Sequence, residues 1–140
     1  HTIDFGGFDI TKNMVDALKV PEQEAETIKG SLGITDKQSQ KVRASIERSL
    51  AKQMDKAEDL IRQYEQQKSK KIVKSILIGG GARLPGLVTY WTKKFKMETS
   101  VGDPWKGLSY PAAIGPKLQI LGPRFGVAVG LALRSFTHVP

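Results

Sequence analysis

Residues 76–87, ILIGGGARLPGL, place three consecutive glycines between an apolar run and a Pro-Gly pair. Glycine has no Cβ, so Gly79, Gly80 and Gly81 let backbone approach a ligand closely and permit positive φ. A helix opening near Leu84 would add the unpaired N–H groups of its first turn. The same residues also suit a plain strand-to-helix turn. Their spacing matches neither Gly-x-Gly-x-x-Gly nor the Gly-Lys-Ser/Thr ending of a phosphate loop. A second set stands in EAETIK (24–29), where Glu26 and Lys29 lie three apart on one helical face with opposite charges. They read either as a surface ion pair or as an acceptor for sugar hydroxyls beside a cation. Arg83 is either a planar guanidinium able to stack on a base or a solvated turn residue. Nucleophilic hydrolysis has no candidates: His1 and His138 sit at opposite ends, and no Ser-His-Asp or paired-carboxylate pattern accompanies them. Two isolated histidines make no metal site either.

These residues need elements to hold them. TIDF (2–5) reads as a strand that ends in Gly6-Gly7. Asp9 is expected to cap a helix running to about Lys19, with Ile10, Met14, Ala17 and Leu18 on one face. Pro21 suits the start of a second helix that carries EQEAETIK and stops near Gly30 and Gly33. Thr35-Asp36-Lys37-Gln38 forms a capping box for a long polar helix. Its narrow apolar stripe is Val42, Ile46, Leu50, Met54, Ala57, Ile61 and Tyr64. Unbroken to Lys70, that helix would span roughly 50 Å. IVKSILI (72–78) then predicts a buried, central strand, because Ile76, Leu77 and Ile78 leave it no polar face. After the glycine turn comes a helix facing inward through Leu87, Tyr90, Trp91 and Phe95, and then a short strand in METSVGD. The stretch 104–123 is expected to be mostly loop, and 123–136 an apolar helix in which Gly126 and Gly130 permit close packing. Strands alternating with helices define an α/β class.

At 140 residues the chain is long enough to bury a core, and 39% apolar with 26% charged residues describes a globular protein. No apolar run approaches the ~20 residues that span a bilayer. The first residues carry no signal-peptide pattern. With no cysteine, disulfides and thiolate metal sites are impossible, and a reducing compartment is permitted. The net charge of +8 is concentrated in Lys68, Lys70, Lys71 and Lys74, with no interleaved aromatics. A solvated helix end accounts for them better than a nucleic-acid surface.

Four stretches together carry a family resemblance: GGFDIT (6–11), EAETIK (24–29), ILIGGGARLPGL (76–87), and DPW with FGVAVGLALR (103–134). The chain resembles the second large domain of the actin-like (ribonuclease H-like) ATPase superfamily. More narrowly, it resembles the PilM-type proteins of type IV pilus assembly, relatives of FtsA. The resemblance implies an α/β domain fragment with a mixed sheet, flanking helices and an inserted helical subdomain. That subdomain would cover about 20–71, on a core of about 1–19 plus 72–140. It implies ATP as the ligand, with magnesium in the full-length protein. Gly79, Gly80 and Gly81 would line the adenosine, Arg83 would lie along the adenine, and Glu26 and Lys29 would face ribose and base. The superfamily's two phosphate-gripping hairpins are not found in these residues. The chain also starts without Met. It therefore reads as a piece of a longer protein, holding the nucleoside half of the cleft and expected to be inactive as a hydrolase. The implied setting is the inner face of the cytoplasmic membrane. Inner-membrane pilus assembly proteins would be engaged through a first domain outside this chain, with self-association as a further partner mode. An FtsA-like division protein and a module that binds no nucleotide are the alternatives.

Overall fold

A computed structural model describes residues 6–35 and 39–134. The strand expected at 2–5 and the last three residues of the capping box, 36–38, lie outside them. The elements run α1 (Gly7–Leu18), α2 (Glu22–Ser31), α3 (Gln40–Lys68), β1 (Lys74–Leu77), α4 (Leu87–Phe95), β2 (Glu98–Val101), α5 (Gly115–Leu121) and α6 (Gly126–Arg134). Short 3-10 turns occupy Gly80–Arg83, Ala112–Ile114 and Gly122–Phe125.

α1 starts three residues earlier than a cap at Asp9 would place it. Gly6 is the N-cap, and the Asp9 carboxylate reaches back to accept from the Gly6 N–H at 2.7 Å. Ile10 and Met14 are buried as expected, but Ala17 is exposed and Thr11 is buried in its place. α2 follows Pro21 and leaves through Gly33 at φ +57. α3 is capped by Ser39, whose hydroxyl accepts from Val42 N at 3.4 Å, while Thr35 bonds back to the carbonyl of Leu32. It runs 29 residues without a break, about 43 Å. Val42, Ile46, Leu50 and Met54 are buried. Ala57 and Ile61 are half-buried, and Tyr64 is exposed, so the stripe packs along its first half and thins toward the C-terminus.

One core joins α1, α2, α3 and α4: Ile10, Met14, Ala25, Val42, Ile46, Leu50, Met54 and Leu87, with Tyr90, Trp91 and Phe95 packed at its margin. β1 and β2 pair in parallel, with Lys74 opposite Glu98 and Leu77 opposite Val101. The register is reinforced by a Lys74–Glu98 ion pair and a Ser75–Thr99 hydroxyl bond. Among the described residues the sheet has these two parallel strands and no antiparallel partner, rather than the mixed sheet expected.

The central, buried strand is not what the fold shows. Leu77 packs on the core, but Ile76 is 61% exposed and Ile78 54%. A continuous apolar run marks a strand able to be covered on both faces. Among the described residues Gly102 and Gly126 approach Ile78 closely, yet Ile76 and Ile78 both stay more than half exposed. A Cβ on Gly130 of α6 would meet nothing within 4 Å, so among the described residues only Gly126 of the two helix glycines is a packing point. The stretch expected to be loop contains α5, begun at Gly115-Pro116, where the missing proline N–H costs nothing.

Candidate functional site

A cavity of about 770 Å³ opens between the start of α1, the middle of α2, and the glycine turn after β1. Its walls include Gly6, Gly7 and Phe8 from the first, Glu26, Lys29 and Gly30 from the second, and Gly80, Gly81 and Arg83 from the third. Of the residues singled out in the sequence, Gly80, Gly81, Arg83, Glu26 and Lys29 meet on this one cavity. Gly79 stands outside its lining.

The three glycines divide the work. Gly79 carries the positive φ, +90, and donates its N–H to the carbonyl of Pro123 at 2.8 Å. It turns the chain. Gly80 and Gly81 have ordinary φ and line the cavity, and an added Cβ on Gly81 would meet nothing within 4 Å. They are bare walls, and a side chain there would project into open space rather than into packed atoms.

Two further glycines fix the walls to each other. The Ile34 N–H donates to the Pro85 carbonyl at 2.8 Å. Gly33 lies so close that a Cβ would fall 2.3 Å from the Pro85 oxygen, and a Cβ on Gly86, at φ +80, would fall 2.6 Å from Thr35 Cγ2. The segment after α2 and the segment before α4 therefore interlock at two positions that leave no room for a Cβ.

On the α2 wall the charged pair is tied into α1. Lys29 Nζ donates to Glu26 Oε2 at 2.6 Å, Thr11 Oγ1 at 2.7 Å and the Gly7 carbonyl at 3.0 Å. An ammonium has three protons, so all are used. Thr11 Oγ1 lies 2.6 Å from Glu26 Oε2 and 3.0 Å from the Gly7 oxygen, and its single proton favours the carboxylate. One Glu26 oxygen is thus fully engaged. Its side chain stays 60% exposed while that of Lys29 is 13% exposed, so the carboxylate presents its other oxygen outward. The hydrogen bonds from Lys29 and then Thr11 hold the Glu26 carboxyl below its ordinary value of 4.5. Lys29 positions Glu26 and the start of α1 more than it faces the cavity.

Arg83 is also committed: its Nη1 donates to the Ile120 carbonyl at 2.7 Å. Together with the Gly79–Pro123 bond it straps the glycine turn to residues 120–123. Arg124, which follows, lines the cavity with its Cγ 3.9 Å from where a Gly80 Cβ would lie. The tripeptide DPW underlies this wall. Asp103 accepts from Trp105 N, and the Trp105 indole donates to the Leu118 carbonyl at 2.7 Å and packs on Phe125. Thr11 and Arg124 carry no signal of their own in the sequence. Arg124 follows a Gly-Pro pair in a turn, and only the fold brings position 124 to position 80.

The family described as type IV pilus assembly protein PilM matches residues 1–136. The chain belongs to that family. The match selects pilus assembly over the cell-division relatives weighed beside it. Among solved structures, a chain of one titled "PilM-PilN type IV pilus biogenesis complex" superposes with a TM-score of 0.78 at 24% identity, over 96% of this chain. That likeness is one of fold, and this chain spans 38% of the neighbour's length. A comparison with curated proteins finds no match. Among the described residues no helix is long and apolar enough to cross a membrane.

Proposed function

We propose that the cavity binds the nucleoside end of ATP, and that the chain is the nucleoside-binding part of an actin-like PilM-type protein in the cytoplasmic platform for type IV pilus assembly. One observation carries this reading. Three stretches far apart in sequence, each of which offers bare backbone or a free acceptor, line one cavity inside the ~300–1,000 Å³ range of small-molecule sites. Gly80 and Gly81 leave room for a flat ring, and Glu26 offers a free carboxylate oxygen to ribose hydroxyls. The residues fit a nucleoside. Magnesium, which the family resemblance implies for the full-length protein, finds no gathered His, Cys, Asp or Glu ligands among the described residues. The role proposed for this chain is nucleoside binding.

The same proposal places the protein at the inner face of the cytoplasmic membrane and puts its contacts with inner-membrane assembly proteins beyond these residues. It treats 20–71 as an inserted subdomain, since α2 and α3 form an all-helical excursion between α1 and β1. Isothermal titration of ADP and ATP tests the binding. The wild-type chain should bind both alike, and Gly80→Val should abolish binding while circular dichroism stays unchanged, because φ at Gly80 is not positive and its Cβ would meet only the Arg124 stem, at an ordinary 3.9 Å. Unchanged affinity in that variant would return the turn to a purely structural role.

A further inference from the structure

Three cations line the cavity: Lys29, Arg83 and Arg124. Lys29 spends all three protons on Glu26, Thr11 and Gly7, and Arg83 is held by the Ile120 carbonyl. Arg124 has no hydrogen-bond or ion-pair partner among the described residues, although its charge is near enough to favour the Glu26 carboxylate across the cavity. Its stem runs beside Gly80, where the lack of a side chain leaves it space. The neighbouring Phe125 is anchored on Trp105, so the turn that carries Arg124 is fixed at its base. The result is one guanidinium with no protein acceptor among the described residues, on a braced turn beside bare backbone, in a cavity whose other two cations are each held by protein acceptors.

We infer that Arg124 takes the phosphate nearest the ribose of the bound nucleotide, and that Arg83 is a strut holding the glycine turn rather than a ligand contact. The inference rests on the nucleoside reading above. An anionic ligand needs a charge-assisted donor, and a guanidinium fork matches phosphate oxygens two at a time. The apolar and glycine walls serve a neutral base without any cation. The anion preference of the cavity then resides in one residue.

Titrating adenosine and ADP separately tests this. The wild-type chain should bind ADP about ten-fold or more tighter than adenosine, the scale of one hydrogen bond to a charged group. Added salt should shrink that advantage. Arg124→Gln should erase it while leaving adenosine affinity unchanged, and Arg124→Lys should restore part of it. Circular dichroism checks that each variant folds. Equal losses for ADP and adenosine would put the guanidinium on the base or the sugar and overturn the inference, as would an ADP advantage that survives in Arg124→Gln. Wild-type chain that binds adenosine with no gain for ADP removes this inference alone. Wild-type chain that binds neither removes the nucleoside reading with it.

Discussion

Glu26 shows how a surface-looking ion pair differs from one built into a wall. An i,i+3 pair on an exposed helix is worth a few tenths of a kcal/mol, because water screens it and two long side chains must be held. Here Lys29 is held by three acceptors from two helices, so the carboxylate is oriented before any ligand arrives. A consequence is readable in acid. The folded-state pKa of Glu26 lies below its ordinary value of 4.5, so its contribution to stability is complete above that value and is lost as pH falls through the lower folded one. The loss should be small, since the side chain is 60% exposed. Urea melts of wild type and Glu26→Gln at pH values from neutral to strongly acidic should converge as pH falls, with wild type the more stable only on the neutral side. A stability difference independent of pH would mean that the carboxylate is not engaged by Lys29 and Thr11 in solution.

At the scale of elements, the cavity depends on glycines that touch no ligand. Gly33→Ala would force a Cβ into the Pro85 carbonyl at a backbone conformation with φ +57. Either effect alone is destabilising, and together they should cost about 2–4 kcal/mol, within the upper range for single substitutions. Gly30→Ala is the contrast, because nothing lies within 4 Å of its Cβ and it sits inside α2. Its change should be neutral or stabilising by up to about 1 kcal/mol. Thermal melts of the two variants separate the interlock from mere glycine loss; equal behaviour would refute it. This contrast also marks what the sequence makes legible. Apolar spacing placed α1, α3 and α4, Pro21 and the closing glycines placed α2, and apolar content placed α6, because all of these are local properties. The meeting of Glu26 with Gly80 was reachable only through the family resemblance. The interlock of Gly33 with Pro85, and the approach of Arg124 to Gly80, depend on tertiary packing that no local pattern encodes. Helix ends shifted where Gly6 and Ser39 won the cap positions from Asp9 and Thr35.

The whole molecule is packed unevenly. Its core lies between α1, α2, α3 and α4, while among the described residues neither α6 nor β1 buries a residue fully. Ile76, Ile78, Val127 and Leu131 are each more than half exposed, although their sequence neighbourhoods read as buried. Apolar side chains gathered in this way are uncommon on a free surface, and two strands alone seldom form a stable sheet. The two statements are physically linked. A sheet that lacks cover on one face loses both the burial of its side chains and the shielding of its edge hydrogen bonds. In solution the 140-residue chain should therefore bind the dye ANS strongly while keeping native helicity. Val127→Asp combined with Leu131→Lys should lower the dye signal at little cost to stability, since neither side chain contributes a buried contact. Met14→Ala, in contrast, removes a fully buried side chain and should cost about 2–5 kcal/mol. Absence of dye binding by the wild-type chain would show that the Ile76 face is covered in solution. The exposed arrangement of β1 and α6 would then have to be abandoned, and with it the explanation offered here for the apolar run at 72–78.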